Sequence, residues 1–189
     1  MKDILGHFSL QALPFTRELA VSQHFSLPQF DAAADGLFEA VDNRMSAALI
    51  APAGTGKTSV LRRLQSRLPD ARYRVSYLKV TNLSRREMAR EIATALGLPP
   101  AGSYPMLVRR LQEGCISSLD TESRRPVLLI DEAHEMRPDV LSMLRVLTNF
   151  DMDSRLVVSL VLTGQSKLDR KSTRLNSSHI QKSRMPSSA

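Results

Sequence analysis

Eight residues, Ala51-Pro52-Ala53-Gly54-Thr55-Gly56-Lys57-Thr58, restrict most what this chain can fold into. They fit a phosphate-holding loop with one relaxation. Ala51 stands where the pattern has its first glycine, while Gly56, Lys57 and Thr58 occupy the required positions. Phosphates are held by backbone N–H groups, and only small residues let the backbone come that close, which accounts for Gly54 and Gly56. Lys57 is placed to reach the β- and γ-phosphates as a point charge, and Thr58 to offer its hydroxyl to Mg²⁺. Ser59 follows in the first turn of the helix that these residues open, and a helix N-terminus favours anions. Such a loop needs a strand before it and a helix after it. Ser46–Ile50 is a short apolar run suited to a buried parallel strand, and Val60, Leu61, Leu64 and Leu68 recur at helical spacing. An ordinary glycine-containing turn between strand and helix is the plain alternative.

A second apolar run, Val127-Leu128-Leu129-Ile130, predicts a short buried strand that delivers Asp131-Glu132 at its C-terminal end. Parallel α/β sheets place their ligands at that end. Asp131 is the candidate Mg²⁺ carboxylate, and Glu132 the group that orients or deprotonates an attacking water. His134 matches no metal-ligand spacing and reads as a hydrogen-bonding residue before the next helix, which enters through Pro138 and carries Leu141, Leu144 and Leu147 on one side. Leu156–Leu162 is the most strand-like run and ends in Thr163-Gly164-Gln165. A polar side chain there can sense the γ-phosphate and the attacking water. Gln165 is the first choice and Thr163 the second, with a plain polar strand end as the alternative to both.

The segments between complete an α/β pattern. Asp31 is placed to cap a helix over about 32–43, in a leading segment with Phe8, Phe15, Phe25, Phe30 and Phe38; these aromatics either close over a base or belong to the core. Residues 73–80 alternate and predict an edge strand. Ser84 with Glu87 is a capping box that starts a helix ended by Gly97 and Pro99-Pro100, and Ser103 starts another with apolar positions 104, 108, 111, 115 and 119. Arg85, Arg86, Arg90, Arg109 and Arg110 lie on the outer sides of these two helices, as solvated faces with i,i+4 pairing or as a DNA-contacting surface.

At 189 residues and 42% hydrophobic content, the chain is long enough for one domain with a sizeable core. The lone Cys115 fits a reducing compartment, and neither a leader-like start nor a run of about 18 apolar residues is present, so a soluble, cytoplasmic protein is expected. Four of the seven net positive charges come from Lys171, Arg174, Lys182 and Arg184. The rest of the chain is only weakly basic, a faint signal for nucleic acid.

The order of phosphate loop, helix, strand, helices, Asp-Glu strand, helix and polar-tipped strand resembles the AAA+ ATPases, P-loop NTPases of the ASCE type with a parallel sheet flanked by helices. Pro14-Phe15, Asp131-Glu132-Ala133-His134, Leu147-Thr148-Asn149-Phe150 and Leu162-Thr163-Gly164-Gln165 are similar to the ExeA-type branch. That branch covers secretion-pathway ATPases and transposase helpers of the TniB/TnsC group. The resemblance spans about residues 5–168. It implies ATP and Mg²⁺ as ligands: the loop from Ala51 to Ser59 for phosphate, Thr58 and Asp131 for Mg²⁺, and Lys57, Glu132 and Gln165 for catalysis. It also implies a homo-oligomeric ring or filament whose nucleotide state controls a partner, here DNA and a transposase. The alternatives are a secretion ATPase and a nucleotide-binding switch with little turnover. Arg145 and Arg155 lie near the interface this implies.

Three regions are expected: 1–45 leading into the nucleotide site, 46–168 as the nucleotide-binding core, and 169–189 as a disordered tail. That tail lacks apolar periodicity and resembles a translated sequencing adapter, so it is read as non-native. With family sheet order 5-1-4-3-2, the fifth strand and the helical lid are expected to be missing. The phosphate-loop strand then lies at an edge, and hydrolysis by the chain as written is weak.

Overall fold

The computed structural model describes residues 4–10, 16, 19–25, 27–79, 82–148 and 156–168, and the backbone of 180–184. The chain opens with α1 (Ile4–Phe8) and a 3-10 turn at Val21–Gln23, followed by α2 (Pro28–Asp42), β1 (Ser46–Ile50) and α3 (Lys57–Arg67). Next come β2 (Tyr73–Lys79), α4 (Arg85–Ala95), α5 (Tyr104–Asp120), β3 (Arg125–Asp131), a 3-10 turn at Ala133–Glu135, α6 (Pro138–Thr148), β4 (Ser159–Gly164) and β5 (Ile180–Arg184).

Among the described residues the strands form one sheet, in the order β2-β3-β4-β1-β5, with every neighbouring pair parallel. Each central strand is apolar on both faces, as a sheet covered by helices on both sides requires. Ala47, Leu49, Val127, Leu129 and Val161 join α2 and α3 in one buried cluster. The alternate residues Ala48, Leu128, Ile130, Leu160 and Leu162 join α4, α5 and α6 in the other. The side-chain period of two thus splits each strand between two cores.

The edge beside β1 is not empty. Ile180–Arg184 pairs with it in register from Ser46↔Ile180 to Ile50↔Arg184, which corrects the expectation of a missing fifth strand. The cause is backbone chemistry: an unpaired β1 edge presents a row of N–H and C=O groups to any extended segment that reaches it. Residues 169–179 and 185–189, which also bear on the expected disordered tail and absent lid, lie outside the described residues.

Two boundaries also move. α2 starts at Pro28 rather than near residue 32, because a proline at the first position needs no N–H partner and has its φ preset. Asp31 therefore sits inside the first turn, where its carboxylate takes the Arg63 guanidinium. The apolar run 156–162 becomes strand only from Ser159, and that strand extends to Gly164.

Ser84 caps α4 as expected. Its backbone N–H donates to Glu87 Oε2 at 2.8 Å, while the Glu87 N–H donates to Ser84 Oγ at 3.4 Å. β2 is an edge strand, hydrogen-bonded to β3. Cys115 is buried in the helix-side core, and burial pushes its thiol up to about 11.

Candidate functional site

Residues 51–56 join β1 to α3 at the C-terminal end of the sheet. The loop turns on two glycines with left-handed backbone, Gly54 at φ 77° and Gly56 at φ 82°, a region that costs any other residue about 1–2 kcal/mol. At Gly56 space is short as well: a Cβ there would lie 2.7 Å from Cζ of Phe30. The Phe30 ring thus touches the phosphate loop while packing, like Phe38, against the core, and Phe8 and Phe25 are exposed. Phe15 lies outside the described residues. Thr55 Oγ1 donates to Pro52 O at 2.8 Å, and Ala51 N–H donates to Gly164 O at 3.1 Å, tying the loop to itself and to the end of β4.

Lys57 begins α3 and is buried. Its Nζ donates to the carbonyls of Pro52 (2.8 Å) and Ala51 (3.3 Å), so the side chain folds back along the inside of the loop. Among the described residues it forms no ion pair. One residue on, the Thr58 hydroxyl donates to Asp131 Oδ2 at 2.6 Å, joining the loop helix to the end of β3.

Asp131 is 2% exposed and accepts four hydrogen bonds. Oδ1 accepts from the Thr163 hydroxyl and, at 2.9 Å, from the Glu132 N–H. Oδ2 accepts from Thr58 and, at 3.3 Å, from the Tyr77 hydroxyl. Burial pushes the Asp131 carboxyl up, but these four donors outweigh it and hold the group below the usual carboxylate range. The Tyr77 phenol moves the other way, pushed up to about 12 by burial and by the Asp131 charge, so it remains a donor at neutral pH.

Glu132 has left-handed backbone (φ 56°, ψ 32°), sparsely populated for a non-glycine and shared in this chain by Ser9, Arg44 and Ser123. The turn it opens brings His134 back between two carboxylates. His134 Nδ1 lies 3.2 Å from Glu132 Oε2, and Nε2 lies 3.0 Å from Glu135 Oε1, with the imidazole buried.

The structure thus gathers Lys57, Thr58, Asp131 and Thr163 in and around one network. Gln165 lies just past β4, half-buried, with its carbonyl accepting the Leu168 N–H at 2.8 Å. Arg145 is exposed on α6, and Arg155 falls outside the described residues. Tyr77 was missed by sequence reasoning, which gave His134 a polar role without naming Glu132 and Glu135 as its neighbours. Only the β2–β3 register, which sets Lys79 against Asp131, brings the second half of β2 to the site, and no local spacing announces it.

A nucleotide and its cation fit these residues. Among the described residues the buried lysine is bonded only to carbonyls and the buried aspartate only to neutral donors, an arrangement that is costly unless an anion and a cation join them. The strand–loop–helix order supplies the N–H cradle for the anion.

A family model described as "AAA domain" matches residues 41–171. The chain belongs to this AAA family. It is accordingly an ATPase domain with the P-loop fold. Over 119 residues this AAA chain is 32% identical to General secretion pathway protein A of Aeromonas hydrophila, a match covering 62% of the chain and only 21% of that protein. Among solved structures it resembles Cdc6p from Pyrobaculum aerophilum (TM-score 0.68, 22% identity, 89% of this chain and 48% of that one). It also resembles the ORC2 protein of Aeropyrum pernix (TM-score 0.60, 15% identity, 85% and 47%). A chain of Drosophila ORC, solved bound to DNA, matches with TM-score 0.58 and 12% identity over 86% of this chain and 94% of that one. These structural likenesses establish the fold. No helix of the described residues is long and apolar enough to cross a membrane.

Proposed function

We propose that this AAA domain binds and hydrolyses Mg²⁺–ATP and that its parent is a DNA-associated transposition helper, a ring or filament whose nucleotide state directs a transposase. The observation that carries the nucleotide part is the pair of buried charges, Lys57 and Asp131, at the two sides of the Thr58 link and without an ion pair among the described residues. Each lacks the partner that a triphosphate and a divalent cation provide.

In this reading Lys57 leaves the carbonyls of Ala51 and Pro52 for phosphate oxygens, while the N–H groups of the loop through Ser59 cradle the rest. Thr58 and Asp131 hold Mg²⁺, which supplies charge neutralisation across the phosphates. Glu132 orients the attacking water and accepts its proton, worth about 10²–10⁴-fold in rate for a well-placed base. Its left-handed backbone sets the direction in which that carboxylate leaves the end of β3. Thr163, bonded to Asp131, and Gln165 beyond it share the sensing position at the end of β4.

DNA association is supported by a fold shared with an ORC chain solved on DNA. The similarity to General secretion pathway protein A favours a second reading, a secretion-pathway ATPase. Phosphate release by the wild type, Glu132→Gln and Lys57→Ala tests the chemistry. The Glu132 variant is expected to keep nucleotide binding and lose about 100-fold or more in turnover. Equal rates would leave only a nucleotide-binding switch. ATP-dependent sedimentation with duplex DNA tests the partner: assembly indifferent to DNA supports the secretion reading.

A further inference from the structure

Asp131 has no free acceptor position. A carboxylate offers about four lone-pair sites, and here Thr163 and the Glu132 N–H occupy Oδ1 while Thr58 and Tyr77 occupy Oδ2. A cation, or a water bound to it, reaches this carboxylate only if one donor withdraws.

Three of the four are poorly placed to leave. The Glu132 N–H belongs to the next peptide, and Thr163 is fully buried within β4. Thr58 need not leave, because its hydroxyl oxygen keeps lone pairs for a cation while its hydrogen stays on Asp131. Tyr77 differs in every respect. Its contact is the longest of the four, 3.3 Å, and the residue is 44% exposed on the edge strand β2. Beside it a groove of about 330 Å³ opens between β2 and α4, lined by Tyr77, Lys79, Leu83, Met88 and Glu91.

We propose that Tyr77 is a positioning residue for the cation site: it holds the Asp131 carboxylate until a divalent cation arrives, and its ring then turns toward the groove between β2 and α4. This rests on reading Asp131 as the Mg²⁺ carboxylate. Cation arrival is thereby felt at the outer surface of the β2–α4 unit, away from the phosphate loop.

The test is Mg²⁺ titration of fluorescent N-methylanthraniloyl-ADP binding to the intact chain, as wild type, Tyr77→Phe and Tyr104→Phe. Tyr77→Phe keeps the ring and removes the competing hydroxyl. Its Mg²⁺ midpoint is expected to fall about fivefold, the effect of one hydrogen bond no longer broken on binding. Binding without Mg²⁺ should match the wild type, which a merely structural defect would not allow, and the Tyr104 control should keep the wild-type midpoint. A Tyr77→Phe midpoint that is unchanged or raised overturns the proposal while leaving the Asp131 assignment intact. Wild-type binding indifferent to Mg²⁺ overturns that assignment, and the Tyr77 role with it.

Discussion

Replacing Thr163 by Val keeps the shape of a fully buried side chain and removes one donor from the Asp131 carboxylate. Hydrogen bonds to charged groups contribute about 1.5–3 kcal/mol net, so a loss of about 2 kcal/mol in unfolding free energy is expected. With a urea dependence near 2 kcal/mol per molar, the midpoint falls by about 1 M. Thr163→Ser retains the hydroxyl and loses one methyl, and should cost about half as much. The pH dependence separates the hydrogen bond from packing. Asp131 is held below its ordinary value, so its contribution is complete above the unfolded pKa of about 3.9 and is lost as pH falls through the lower folded value. Thr163→Val removes part of that depression. Its deficit against the wild type is therefore largest at neutral pH and shrinks as the medium becomes more acidic than about pH 4. Urea unfolding followed by circular dichroism at pH 7, 5 and 3.5 measures both effects. A deficit that stays constant with pH, or a valine variant as stable as the serine one, would refute the reasoning.

Gly54→Ala and Gly56→Ala meet the same left-handed backbone, but only the second meets the Phe30 ring, so thermal melting should show Gly56→Ala as the less stable of the two; equal melting points would contradict the close approach. Arg63 is buried and donates to Asp31 and, at 2.8 Å, to Phe25 O, which ties α3 to α2. Arg63→Met should lower stability by about 1–2 kcal/mol in urea unfolding, since the Phe25 carbonyl loses its donor while Asp31 keeps the Arg67 guanidinium 3.2 Å away. Cys115, buried and with its thiol pushed up to about 11, should react with a disulfide reagent only as fast as the chain opens. Stoichiometric labelling within minutes in native buffer would rule that out.

Legibility from sequence followed the kind of constraint involved. The phosphate loop could be read because its backbone demands left-handed residues and close approach, which sequence records as Gly54 and Gly56. Val127–Ile130 was legible as a strand because both of its faces are buried, leaving an unbroken apolar run. The Ser84–Glu87 box could be read because side chains form it. β5 carries no comparable mark: Ile180–Arg184 is polar, and its pairing with β1 is made by backbone groups common to all residues. The start of α2 was misplaced for a related reason. Asp31 reads locally as a cap, yet its carboxylate is engaged by Arg63, which lies far along the chain. Thr163 and Gln165 are both polar ends of one apolar run. Only the β3–β4 pairing, with Ile130 opposite Leu162, sets Thr163 beside Asp131.

The basic residues show which charges carry functional meaning. Arg86 donates to Gly102 O at 3.2 Å, and Arg110 donates to Pro99 O and Ala101 O at 2.7 Å each, so both tie down the connection between α4 and α5. Arg109 pairs with Glu113 one turn along α5, and Arg85 lies 3.5 Å from Asp139 with its guanidinium over the Tyr104 ring. Arg86 and Arg110 are thus occupied at the α4–α5 connection, Arg85 reaches from α4 to Asp139 of α6 and to Tyr104 of α5, and the Arg109 pair stays within α5. Their number is therefore weak support for a DNA-binding face, since a phosphate contact would compete with bonds they already make. Lys57 and Asp131 are the opposite case. Each is withdrawn from water, bonded to neutral groups and, among the described residues, without an ion pair, a state that is costly in a stable core and useful where a charged ligand completes the site. Function in this chain is written in the charges its own fold leaves unbalanced.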